Sequence, residues 1–143
     1  MDRVYCDTCI YMDAMGKNDN KNPYKDLSTF AWNFFDLVMK GEYTLITSSW
    51  LFEEFKNVVG NDKELIEFID DLETENKIHI TEERIDIKEA KKLSLKNLPD
   101  ARHVVLAKKG NANFLTTQNI GDFAEMEEYM KNNSIELIRP ETL

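Results

Sequence analysis

The chain is predicted to fold as an α/β protein, a three-layer α/β/α sandwich with a mainly parallel central sheet. Three observations carry that expectation. Short β-branched and aromatic runs alternate with stretches of helical period. The first run, Val4-Tyr5-Cys6, stops at an acid, Asp7, and polar residues likewise follow the later ones. No Pro-, Gly- or Ser-rich linker and no repeat breaks the alternation, so one domain over residues 1–143 is expected.

Each element has its own local reason. Val4 to Asp7 reads as the first strand. Residues 8 to 15 can begin a helix whose apolar side is Ile10, Tyr11, Ala14 and Met15. Gly16 to Tyr24 is polar and reads as a loop. Ser28 or Thr29 can cap the next helix, with Phe30, Trp32, Phe34, Phe35, Leu37 and Val38 as its apolar positions and Gly41 at its end. Tyr43 to Thr47 is a strand by its aromatic and β-branched bias. Ser48 or Ser49 caps a helix to about Val59, with Trp50, Leu51, Phe55 and Val58 at helical spacing and Gly60 after it. Asp62 opens a helix with the stripe Leu65, Ile66, Ile69 and Leu72. Ile78 to Thr81 alternates briefly. A charged helix covers about Ile85 to Leu95. Pro99 can start the next helix, which carries Ala101, Val104, Val105 and Ala107 and ends at Gly110. Phe114 to Thr116 is a strand, Phe123 to Asn132 a helix, and Ile135 to Ile138 a last strand. Right-handed crossovers should join the parallel strands.

Composition narrows the class. The chain is 42% apolar and 31% charged, which is ordinary for a globular protein. No apolar run reaches the roughly 20 residues that span a bilayer, so no membrane role is expected. Asp7, Asp13 and Asp19 interrupt any signal-peptide core, and the cytoplasm is the expected place. Cys6 and Cys9 form a lone C-x-x-C, which lacks the second pair a zinc site needs; buried strand-end residues are the expected reading. The net charge of −9 argues against a general nucleic-acid binder. The charge is unevenly spread: residues 53 to 86 are acidic, while Lys88, Lys91, Lys92, Lys96, Arg102, Lys108 and Lys109 make a basic stretch, with a second cluster at Lys17, Lys21 and Lys25. Solvated helix faces explain this as well as a phosphate-tracking surface does.

Four acidic places could carry chemistry. Asp7 follows a strand and precedes Thr8, whose hydroxyl can buttress a carboxylate; a helix cap is the competing role. Glu54 lies on the edge of the buried face of its helix, while Glu53 points further out. Asp100 opens a helix and could simply complement its dipole. Asn119 and Asp122 follow a strand and offer oxygens three residues apart, or a plain turn. In an open parallel sheet, side chains at the carboxyl ends of strands meet in one cleft. A cleft of carboxylates suits a hard divalent cation.

Taken in order, these places resemble a family. Val4-Tyr5-Cys6-Asp7-Thr8, Thr47-Ser48-Ser49-Trp50-Leu51-Phe52-Glu53-Glu54-Phe55, Asp100 to Ala107, and Leu115-Thr116-Thr117-Gln118-Asn119-Ile120-Gly121-Asp122-Phe123 match the four motifs of the PIN domain, a metal-dependent ribonuclease fold. In size the chain is similar to the stand-alone VapC-like toxins. The resemblance covers nearly the whole length. It implies that Asp7, Glu54, Asp100 and Asp122 are catalytic and line a Mg²⁺ (or Mn²⁺) site, with Asn119 where many relatives have Asp. Cys9 stands where Asn or Ser is usual, and the pair Glu53 and Glu54 leaves two acids at one motif position. The resemblance further implies an RNA substrate, a protein antitoxin that blocks the cleft, and a homodimer, with the aromatic helix Phe30 to Val38 as a candidate partner surface or as core.

Such a cation would hold crowded carboxylates ionised and serve phosphodiester hydrolysis without a His or Cys nucleophile. That suits a chain whose two histidines, His79 and His103, lie far apart; His79 reads as a surface strand residue, and His103 could approach the site from three residues beyond Asp100. Arg102, Lys108, Lys109 and the Lys17–Lys25 loop are the expected phosphate donors, and Tyr11 and Tyr24 could stack on bases or fill the core. Two competing functions remain. One is a PIN-like RNA-binding or assembly module with weak or no catalysis. The other is a flavodoxin-like phosphatase or phosphoacceptor domain, which would need a strand-end Lys near Asp7, and none stands out.

Overall fold

A computed structural model of the chain describes residues 1–18, 26–75, 77–81 and 87–143. The described residues form one five-stranded sheet, every pair parallel, in the order β3-β2-β1-β4-β5. In chain order the elements are β1 (Asp2–Cys6), α1 (Thr8–Ala14), α2 (Leu27–Met39), β2 (Tyr43–Ser48), α3 (Ser49–Val59), α4 (Lys63–Thr74), β3 (Ile78–Thr81), α5 (Ile87–Leu93), α6 (Leu98–Lys109), β4 (Phe114–Thr116), α7 (Glu127–Asn132) and β5 (Glu136–Ile138). The expected α/β/α sandwich is the observed architecture.

The pleat of β1 decides the layers. Val4 and Cys6 point into one core with Leu45, Phe35, Leu51, Phe55 and Ile69, beneath α1 to α4. Tyr5 points the other way, into a second core with Ile46, Val104, Leu115 and Phe123, beneath α6 and α7. The chain runs outward from β1 to β3 and then returns to β4 on the opposite flank. The order therefore reverses between β1 and β4, which is the place where an open parallel sheet forms its crevice.

Local chemistry sets several boundaries. Gly60 takes φ 100 and closes α3 with a bond from its N–H to the Lys56 carbonyl. Gly110 ends α6 for a different reason. A Cβ there would stand 2.6 Å from Ile46 Cγ2 and 3.0 Å from Thr81 Cγ2, so only glycine lets the helix end lie against β2 and β3.

Several expectations are corrected. The cap of α2 is Asp26, not Ser28 or Thr29: its carboxylate accepts from the Thr29 N–H (3.0 Å) and the Thr29 hydroxyl (2.7 Å). Val58 is exposed, because the buried seam of α3 steps by four, from Leu51 to Phe55 to the half-buried Val59. Ile66 is exposed because α4 packs through a seam that steps by four and then by three, Leu65, Ile69 and Leu72. Residues Ile120–Met126 are a 3₁₀ helix rather than the start of α7, and its buried residues, Phe123 and Met126, repeat at that helix's period of three. Tyr11 is wholly buried, its ring 5.1 Å from that of Phe35, so it is a core residue and not a base-stacking one. Phe34, Phe35 and Val38 make α2 largely a core helix too, with Trp32 and Met39 left on its surface. Tyr24, Lys21 and Lys25 lie outside the described residues, as does the beginning of the expected helix at Ile85.

Candidate metal centre

The site grows from four element ends. β1 hands over to α1 at Asp7, β2 to α3 at Ser48, and β4 to its loop at Thr117, while α6 brings its first turns down beside them. Asp7 is the residue before α1, in extended backbone, yet its side chain caps nothing. It is 5% exposed and turns inward instead. Its Oδ2 accepts from Thr117 Oγ1 at 2.8 Å, and the Cys9 thiol lies 3.3 Å from the same atom. Thr117 in turn accepts from the Asn119 N–H at 3.0 Å.

Glu54 sits one turn into α3, where it is half-buried, while Glu53 is exposed. Of the two acids, Glu54 is the one that faces Asp7 and His103. Its Oε1 accepts from Thr8 Oγ1 at 2.6 Å and from His103 Nε2 at 2.7 Å. The same nitrogen stands 3.6 Å from Asp7 Oδ1. Asp7, Glu54 and His103 therefore form a compact group whose possible ligand atoms all lie within 4.8 Å of one another.

His103, which the sequence reading left outside the expected set of site residues, is the third member of the group. It is completely buried on α6, and its Nδ1 meets the Tyr5 hydroxyl at 2.6 Å. That hydroxyl is 2.8 Å from Ser48 Oγ, which also accepts from the Leu51 N–H and so caps α3. A signal existed: a histidine set among Ala101, Val104 and Val105 on a buried helix face needs a polar partner. The partner, Tyr5, could not be identified before the sheet register was known.

The electrostatics follow from this crowding. Burial, then Asp7, Glu54 and Asp122, push the Asp100 carboxyl from its usual 3.8 up to about 7, against an opposing pull from His103. Burial alone would raise Glu54, but the hydrogen bonds from His103 and Thr8 and the nearby charges of His103 and Arg102 hold it below its ordinary range. His103 shows the reverse balance. Burial disfavours its cation, yet the bond to Glu54 and the charges of Asp7, Glu54 and Asp100 leave it above the usual histidine value.

The expected acids do not contribute equally. Asp7 and Glu54 converge on His103 Nε2, and both charges act on the half-buried Asp100. Asp122 acts on Asp100 but is exposed, and Asn119 is exposed on the same turn. Of the expected phosphate donors, Arg102 is nearest in the chain to the cluster, its guanidinium 3.7 Å from the Trp50 ring centroid. Lys108 is paired with Glu89 at 2.8 Å, and Lys17 with Glu64 at 3.2 Å.

These residues fit a divalent cation. Two of the three possible donors are carboxylates, Asp7 buried and Glu54 half-buried, and such oxygens suit a hard cation. Asp7 and Glu54 supply the carboxylate oxygens of the group, and Asp100 stands outside it. Among the described residues, no helix is long and apolar enough to cross a membrane. Scanned against protein-family models the chain matches none, and no curated protein matches its sequence.

Proposed function

We propose that this chain is a Mg²⁺- or Mn²⁺-dependent endoribonuclease of the PIN type. The observation that carries the reading is the convergence of Asp7 and Glu54, from opposite ends of the first motif pair, beside His103 at the crevice of a parallel sheet. When bound, a divalent cation supplies Lewis acidity toward a phosphodiester and offsets charge developing on it. The chain's own residues do the rest. Asp7 and Glu54 hold the cation, and Asp100 completes the ring of negative charge. Thr8, Thr117 and His103 orient the two holding carboxylates. Arg102, stacked on Trp50, offers a guanidinium for a backbone phosphate on the α6 side. Asp122 and Asn119 form the outer rim.

Biologically, the role proposed is the toxin of a toxin–antitoxin pair, working as a homodimer and silenced by a protein that covers the cleft. It rests on the family resemblance. The test of the chemistry is direct. A structured RNA is incubated with the protein in Mg²⁺, Mn²⁺ or EDTA, beside Asp7→Asn and Asp100→Asn. Cutting that needs the metal and disappears in both variants supports the enzyme. RNA binding that survives EDTA without cutting assigns the chain to the non-catalytic RNA-binding module instead.

A further inference from the structure

By distance alone His103 looks like a third ligand beside Asp7 and Glu54. Its hydrogen bonds argue against that. The imidazole has two nitrogens, and each already has a protein partner: Nδ1 meets the Tyr5 hydroxyl at 2.6 Å and Nε2 meets Glu54 Oε1 at 2.7 Å. An ionised carboxylate only accepts, so the hydrogen of that second bond sits on Nε2 whether the ring is neutral or cationic. A nitrogen that carries hydrogen has no lone pair for a metal. The other nitrogen faces the Tyr5 hydroxyl inside the second core.

The bonds also form a frame. Tyr5 belongs to β1, Ser48 ends β2 and caps α3, Glu54 rides on α3, and His103 comes from α6. The line Ser48–Tyr5–His103–Glu54 thus ties the helix that carries Glu54 to the sheet at one point and to α6 at another. Both bonds to Glu54 fall on Oε1, so Oε2 is the oxygen through which it can ligate. Asp7 is arranged alike: Oδ2 is taken by Thr117 and Oδ1 remains.

We infer that His103 is a positioning residue and not a ligand: with Tyr5 and Ser48 it fixes the rotamer of Glu54, and it leaves the cation an all-oxygen donor set. This rests on the cation reading of the site given above. It adds a selectivity, because oxygen donors suit Mn²⁺ and Mg²⁺ whereas an imidazole donor suits Zn²⁺.

The test uses the full chain and Mn²⁺ alone, with binding read by the loss of the free-ion EPR signal. Pulsed EPR of the bound ion reports any nitrogen in its coordination shell. Wild-type protein should bind Mn²⁺ with no coordinated-nitrogen coupling. His103→Ala should weaken binding about 10- to 100-fold, the range for losing a residue that orients a ligand. His103→Gln, whose amide N–H can still reach Glu54, should recover most of it. Tyr5→Phe should loosen the ring and raise the affinity for Zn²⁺ relative to Mn²⁺. Coordinated nitrogen in the wild type overturns the inference without needing any variant to fold. So does a Gln variant as weak as the Ala variant when circular dichroism shows both folded. If wild-type protein binds no Mn²⁺, the cation reading itself falls and this inference with it.

Discussion

The two ends of the sheet contrast sharply. At the amino ends of β1, β4 and β5 lies a cavity of about 890 Å³, bordered by Asp2, Asn113, Phe114, Glu128, Lys131 and Glu136. Its charged side chains are exposed. At the carboxyl ends, Asp7 and His103 are buried, Glu54 is half-buried, and the three share hydrogen bonds of 2.6 to 2.8 Å with Thr8, Tyr5 and Thr117. Space is at one end and convergent chemistry at the other. Water can solvate each charge separately in the first place, so nothing forces the charges to act together. In the second, burial makes every charge depend on its neighbours, and that dependence is what marks a site.

The contrast can be broken most forcefully by activity. Glu54→Gln should lower metal-dependent RNA cleavage by at least about 100-fold, equivalent to about 2.7 kcal/mol of barrier, measured as initial rate in Mn²⁺. Equal rates in wild type and variant would remove the carboxyl-end cluster from the chemistry. Packing comes next. Gly110→Ala drives a methyl into Ile46 and Thr81 and should cost about 1–3 kcal/mol in urea denaturation, since the end of the helix that carries His103 must lift.

A pH series sharpens the comparison further. Asp100 has its folded pKa raised from 3.8 to about 7, so the folded chain holds that proton more tightly than the unfolded chain. Its contribution to stability is complete below pH 3.8 and is lost as pH rises to about 7. His103, also raised, loses its contribution in the same direction as pH passes its folded value. In EDTA, stability should therefore fall between about pH 4 and 7, by roughly 1–2 kcal/mol from Asp100 once the watered part of its side chain is discounted. Asp100→Asn should flatten that slope, and a slope unchanged in this variant would place the titration elsewhere. The smallest effect belongs to the roomy end. Glu128→Gln should change both stability and cleavage by no more than about 0.5 kcal/mol, because its carboxylate stands in water.

Much of this architecture was legible. Val4, Leu45 and Leu115 lie in runs whose composition announces strands, and the spacing of Leu51 and Phe55 announces a helix. The seam of α3 beyond Phe55 was not legible, because steps of three and four are both helical and only the packed partner selects Val59 over Val58. Asp7 and Glu54 stood out because acids at strand ends and on buried helix edges need compensation. The role of His103 did not stand out. Its partners Tyr5 and Glu54 are 98 and 49 residues away, and no local pattern links them.

The sequence by itself determined the alternation of strands and helices, the two buried faces and the acids that end the first two units. Those depend on local period and polarity, which each segment carries alone. Only the tertiary structure decided that Tyr5 reaches His103, that His103 rather than solvent satisfies Glu54, and that Asp122 stays at the rim. Those outcomes depend on strand order and on the seating of α6 across the sheet. A hydrogen bond between distant residues exists only once the chain between them has been placed.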